Sequence, residues 1–278
     1  MTWGRAGEKS GSSVRPITER PRRVMLRTQD GIAIDAAYAP GPVPGEGPVI
    51  VLAHGFTGDL ERPHVRRAAG VFAQRAAVVT FSFRGHGRSG GRSTVGDREV
   101  LDLAAAVAWA RSLGHARVVT VGFSMGGSVV LRHAASHGGR TEARTDAVVA
   151  VSAPARWFYR GTAPMRRLHW VVTRPTGRMV GRLGLRTRIQ PWSGGVWDPV
   201  PLSPVESVPL IAPTPLLVVH GDRDPYFPVD HPRMLAAAAA DGGAELWLEP
   251  GMGHAENAAS DALLHRIAAW AVPAGAAQ

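Results

Sequence analysis

The chain has 278 residues, 45% of them apolar and 19% charged, with a formal net charge of +10 and no cysteine. That is enough apolar chain for one large domain with a buried core, and it excludes disulfides, thiolate nucleophiles and cysteine-ligated metals. Met1 to Arg23 has no apolar run fit for a signal-peptide core, Arg22-Arg23 does not lead into a twin-arginine signal, and no apolar stretch reaches bilayer length, so a cytoplasmic protein without a transmembrane segment is expected.

Residues 1–20 are rich in Gly, Ser and Arg and read as a flexible basic tail. Val24-Met25-Leu26 and Ile32 to Tyr38 flank Asp30-Gly31, a hairpin signal. Val49 to Ala53 is a continuous apolar run between Pro48 and Gly55, as a strand buried on both faces should be. A helix over 61–76, a strand over Ala77 to Phe81 and an Ala- and Leu-rich helix over 98–113 follow. Then come a strand over 117–121, a sharp turn, a helix to about His137 and a strand from Ala147 to Val151. After Pro154 the alternation stops for roughly sixty residues. It resumes with a strand at 215–219, a helix near 231–240, a strand from Glu245 to Leu248 and a last helix over about 259–270. Repeated strand–helix units with apolar strands predict an α/β fold with a mostly parallel, doubly wound sheet. The interruption predicts a cap over 155–211 inserted between two strands of a core made of 21–154 and 212–278.

Charge is concentrated in that insertion. Ala155 to Trp197 holds nine arginines and no Asp or Glu, leaving 23 basic residues elsewhere to balance 22 acidic ones. Lys9 is the only lysine among 32 basic residues, a bias that looks like coding preference. A basic surface attracts anionic substrates, membranes or nucleic acid. No aromatic platform or helix-turn-helix pattern accompanies it, so nucleic acid is not expected as a partner.

Chemistry is concentrated at Gly122-Phe123-Ser124-Met125-Gly126-Gly127, a serine between glycines where a strand gives way to a helix. This is the pattern of a nucleophile elbow, whose strained turn lifts the serine oxygen from the sheet edge. A serine hydroxyl needs a base, and the base needs an orienting acid. His220 to Pro228 follows one strand and carries Asp222 and Asp224; Gly251-Met252-Gly253-His254 follows the next. Oxyanion donors are expected from the Met125 N–H and from the loop His54-Gly55-Phe56-Thr57-Gly58, with the Phe56 N–H as the candidate.

Five motifs in order, H-G-F-T-G at 54–58, R-G-H-G-R-S at 84–89, G-F-S-M-G-G at 122–127, H-G-D-R-D-P-Y-F-P at 220–228 and G-M-G-H at 251–254, give the chain its resemblance to the α/β-hydrolase superfamily, specifically to bacterial carboxylesterase/lipase-like hydrolases. The match runs from about Val24 to Trp270. The resemblance implies Ser124 as nucleophile, His254 as general base and Asp224 as acid, with Asp222 as the rival for that last role. It implies hydrolysis of carboxylic esters, or of thioesters or lactones, through an acyl-enzyme, with a small acyl ester as partner and neither cofactor nor metal. The alternatives are a perhydrolase or acyltransferase with the same triad, and a non-catalytic binding protein that keeps the fold. Many relatives have Asp where this chain has Ser82, a departure expected to alter a hydrogen bond in a structural loop.

Trp157, Trp170 and Trp192 are candidates for the walls of the substrate pocket, weighed against simple packing of the cap. His54 and His86 are expected to anchor loops. His133 and His137 have metal-ligand spacing but lack acidic neighbours, and an exposed helix surface is the expectation there.

Overall fold

A computed structural model describes residues 21–42, 47–139, 141–191, 197, 199–239 and 243–273. Its strands are β1 Arg22–Arg27, β2 Ala33–Ala39, β3 Val49–Ala53, β4 Ala77–Phe81, β5 Val118–Phe123, β6 Ala147–Val151, β7 Leu216–Gly221 and β8 Ala244–Glu249. Its helices are α1 Pro63–Phe72, α2 Glu99–Ser112, α3 Met125–Ser136, α4 Ala163–Thr173, α5 Pro175–Leu183, α6 Pro204–Ser207, α7 Asp230–Ala238, α8 Ala255–Ala258 and α9 Asp261–Ala271. The expected 1–20 tail and Trp192 lie outside the described residues.

The eight strands form one sheet in the order β1-β2-β4-β3-β5-β6-β7-β8. The β1–β2 hairpin and the β2–β4 pair are antiparallel, and every other pairing is parallel. Alternation along the central strands explains the layers. Val49 and Val51 join Leu103, Val107, Val129 and Leu235 on one face, packing α2, α3 and α7. Ile50 and Leu52 join Val65, Phe72, Leu264 and Ile267 on the other, packing α1 and α9. A strand covered on both sides has no polar face, which is why its sequence reads as an unbroken apolar run.

The order reverses at β3, whose neighbours are β4 on one side and β5 on the other. A crevice opens at the carboxyl ends of strands at such a switch point, and the loops after β3 and β5 meet there. The 84–89 loop is secured by a buried network. Arg84 donates to Asp102 Oδ1 at 2.9 and 2.7 Å and to both oxygens of Asp30 at 2.8 and 3.0 Å, tying the β1–β2 turn to α2. The paired carboxylates hold the guanidinium charged by raising its pKa.

Between β6 and β7 lie α4, α5 and α6. This segment is fastened to the sheet domain near its ends: the Thr162 hydroxyl donates to Tyr226 O at 2.9 Å, and Ile189 forms a parallel bridge with Ser93. Gly177 and Gly181 let α5 lie against α4, since a Cβ on Gly177 would come within 2.3 Å of Trp170 O. Among the described residues no helix is long and apolar enough to cross a membrane.

Most elements match the sequence expectation within a few residues. The helix expected over 61–76 is shorter, because Pro63 at its first turn marks its start and the chain turns away after Phe72. The exposed surface expected for His133 is corrected. Met125 to Ala134 is buried on all sides, so the His133 ring lies fully inside the protein against His137, with ring centroids 4.5 Å apart.

Candidate active site

The turn at Ser124 is forced by its surroundings. Ser124 has φ 53° and ψ −116°, a conformation a side chain adopts only under constraint. Its N–H donates to Val151 O at 2.8 Å, which ties the turn to β6. A Cβ at Gly122 would lie 2.2 Å from Gly126 O, and one at Gly126 would lie 2.3 Å from Ala53 O. Both glycines are therefore required by close backbone approach. The result places the Ser124 side chain at the N-terminus of α3.

Ser124 Oγ lies 2.8 Å from His254 Nε2, and His254 Nδ1 donates to Asp224 Oδ2 at 2.7 Å. Asp224 is buried, and its Oδ1 accepts the N–H groups of Tyr226 at 2.8 Å and Phe227 at 3.1 Å. The three hydrogen bonds leave the carboxylate one orientation, and they hold the imidazole in the tautomer that presents Nε2 as an acceptor. The Tyr226 ring stacks on the imidazole with centroids 4.3 Å apart. Asp222 is elsewhere: its Oδ1 accepts the Gly251 N–H at 2.6 Å, bracing the loop before His254. Of the two carboxylates considered, only Asp224 touches the histidine among the described residues.

The 54–58 loop is pinned on each side of the Phe56 amide. The fully buried His54 donates from Nδ1 to Gly55 O at 2.7 Å and accepts the Phe83 N–H at Nε2 at 3.0 Å. Burial holds this ring well below its ordinary pKa, so it stays neutral and keeps that tautomer. Gly58 N–H also donates to Gly55 O at 2.9 Å. With that carbonyl held, the planar peptide directs the Phe56 N–H the opposite way. His86 donates to Phe56 O, and its Nδ1 lies 2.9 Å from Arg84 O. Among the described residues neither the Phe56 nor the Met125 N–H has a protein acceptor.

Ser124 and Met125 open into a cavity of about 90 Å³, with Phe56 and Trp157 among its walls. Trp157 is held by its indole N–H, which donates to Pro201 O at 3.0 Å, and packs edge-on against Trp197. The placement expected for Trp170 is corrected. On α4 the inward positions belong to Met165, Leu168 and Val172, spaced three and four residues apart, and Trp170 falls on the outer face. Ser82, at the departure from the family pattern, accepts the Leu60 N–H at 3.1 Å.

Two residues escaped the sequence reading. Glu256 is buried, and its Oε1 accepts the Gly55 N–H at 3.1 Å and lies 3.7 Å from His64 Nε2. Ser152 Oγ accepts the Ala255 N–H at 3.0 Å, steadying the turn after His254. Neither lies in a motif, and only position beside His254 and β6 marks them. Among the described residues no group of three or more His, Cys, Asp or Glu is disposed to hold a metal ion.

A family model described as the alpha/beta hydrolase fold matches residues 48–173. The monoacylglycerol lipase of Mycolicibacterium smegmatis is 26% identical over 243 residues, covering 74% of this chain and 80% of that protein. Among solved structures, a Pyrococcus furiosus esterase superposes with a TM-score of 0.66 at 24% identity, over 86% of this chain and 84% of that one. A serine hydrolase without lid from Xanthomonas campestris gives a TM-score of 0.60 at 20% identity, over 94% of this chain and 99% of that one. At these identities the structural likeness shows a shared fold.

Proposed function

We propose that this chain, an esterase/lipase-like protein of the α/β-hydrolase superfamily, is a serine hydrolase that cleaves carboxylic esters through an acyl-enzyme. The observation that carries this reading is the hydrogen-bonded line from Ser124 through His254 to Asp224, at 2.8 and 2.7 Å. Ser124 Oγ attacks the ester carbonyl while His254 Nε2 takes its proton. Asp224 stabilises the imidazolium through Nδ1–H without taking that proton. The carbonyl oxygen gains negative charge and is met by the Phe56 and Met125 N–H groups; each such donor is worth roughly 10²- to 10³-fold in rate. As the tetrahedral centre collapses, the imidazolium passes its proton to the departing alcohol, leaving Ser124 acylated. Water then attacks with His254 as base, the acid leaves, and the proton returns to Ser124.

The pinned 54–58 loop supports this reading because an oxyanion site acts through groups that need not move when charge develops. Residues 155–211 act as the cap of this site in the same reading. The test is a fluorophosphonate probe applied to the protein and to Ser124→Ala, with the adduct located by mass spectrometry and short-chain nitrophenyl ester turnover followed alongside. An adduct on Ser124, with turnover lost in the variant, is expected. Turnover that survives Ser124→Ala would discard the mechanism.

A further inference from the structure

We propose that the outer face of α4 and α5 docks the protein onto a lipid bilayer bearing anionic headgroups. The face combines two features that a solvent-exposed surface rarely carries together. On α5, Gly177 and Gly181 occupy the inner side, which leaves Met179, Val180 and Leu183 outward at 58%, 46% and 75% exposure. On α4 the outward Trp170 is 47% exposed. A helix at the surface of a soluble domain normally turns such side chains inward, and clustered exposure marks an interaction site.

Arginines neighbour these side chains: Arg166 and Arg167 share a surface hollow with Trp170, and Arg182 and Arg186 flank Leu183 along the chain. Arg166, Arg167, Arg182 and Arg186 are all exposed, and from Ala155 to Trp197 there is no acidic residue to neutralise them. None of the four has an ion-pair partner among the described residues. The carboxylates that line the cleft with Arg182 and Arg186 are already taken: Asp35 and Glu61 by Arg23, and Asp59 by Arg62.

A bilayer satisfies both features at once. The guanidinium groups meet phosphate oxygens at headgroup depth, while Met179, Val180, Leu183 and Trp170 enter the acyl boundary. A nucleic acid would satisfy the arginines and leave the apolar side chains in water. A second copy of the chain would set arginine against arginine. Docking in this way also places the roof of the Ser124 cavity on the membrane, because α4 lines that cavity with Met165, Leu168 and Val172.

The full chain is sedimented with vesicles of phosphatidylcholine alone, or of phosphatidylcholine with phosphatidylglycerol, at low and high salt. The expected result is co-sedimentation with the anionic vesicles, weakened by salt. Arg182→Gln with Arg186→Gln should lower the partition coefficient about 25-fold at low salt, about fivefold for each charge removed. Met179→Ser with Leu183→Ser should abolish whatever binding survives high salt. Unchanged melting temperatures would establish that the variants are folded. Equal binding to both vesicle types, no binding, or no effect of the serine variants would overturn the proposal. Three further results would also overturn it: displacement by inorganic phosphate at matched ionic strength, which marks a free-anion site; displacement by duplex DNA; and a dimer abolished by the serine substitutions.

Discussion

On the floor of the cavity the backbone around Ser124 is held from several sides. Gly55 gives its N–H to Glu256, its carbonyl accepts from His54 and Gly58, and the Ser124 N–H is engaged by Val151. On the roof, α4 and α5 are fastened near the ends of their segment, α4 meets the cavity through Met165, Leu168 and Val172, and both helices leave arginines and large apolar groups facing outward. Floor and roof thus meet different demands. Bond-making needs donors and acceptors set to a fraction of an ångström, and hydrogen bonds with backbone constraint provide that. Admitting a substrate needs a surface whose contacts are non-directional and can shift without breaking a hydrogen bond.

The contrast is broken most severely at the floor. Asp224→Asn should lower ester turnover by about 10⁴-fold, because the amide no longer fixes the productive tautomer. Asp222→Asn, at a side chain that accepts only the Gly251 N–H among the described residues, should leave turnover near wild type; a steady-state comparison of the two variants checks this. Gly126→Ala should cost at least about 2 kcal/mol in urea unfolding, because the new methyl group meets the Ala53 carbonyl and neither strand nor helix can yield cheaply.

An effect confined to acid pH comes from His133 on α3. Its two ring nitrogens have no hydrogen-bond partner among the described residues, and burial lowers its pKa from 6.5 to about 3. The unfolded chain takes up a proton on this residue near its ordinary value, whereas the folded ring stays neutral. Stability is therefore whole above about pH 6.5 and falls by roughly 1.4 kcal/mol per pH unit as acid drives the unfolded chain to protonate, levelling near the folded value. His133→Leu should remove that part of the acid limb in denaturation curves taken across this range. Smallest of all, Leu183→Ser on the roof should change unfolding free energy by less than about 0.5 kcal/mol, since the side chain already stands in solvent.

What was legible in the sequence follows the same division. Strands buried on both faces announce themselves as unbroken apolar runs, and the elbow glycines are dictated by the backbone that crowds them. Ser124, Asp224 and His254 stand in local motifs that end strands, so the fold that aligns those strands brings them together. Trp170 was misplaced because an aromatic residue suits a pocket wall and an outer face equally. The phase set by Met165, Leu168 and Val172 is what decides between them. His133 misled for a related reason: histidine suggests a polar surface, but the run from Met125 to Ala134 is buried all round, with Val129, Val130, Leu131 and Ala134 beside it. Glu256 was invisible, because its meaning depends on a glycine in a loop on the far side of the chain.

That long reach has a consequence for how the protein comes into being. The Gly55–Glu256 bond joins positions 201 residues apart, and the Ser124–His254 bond joins positions 130 apart. A chain emerging from the ribosome presents β3, the elbow and α3 well before β7, β8 and His254 exist, so the early halves wait for their counterparts. Contacts of such separation are closed late and against a large entropy of loop formation. Ser124 Oγ thus stays without its histidine until residue 254 has been made, and under the proposed mechanism a chain stopped before that point would be inert toward esters.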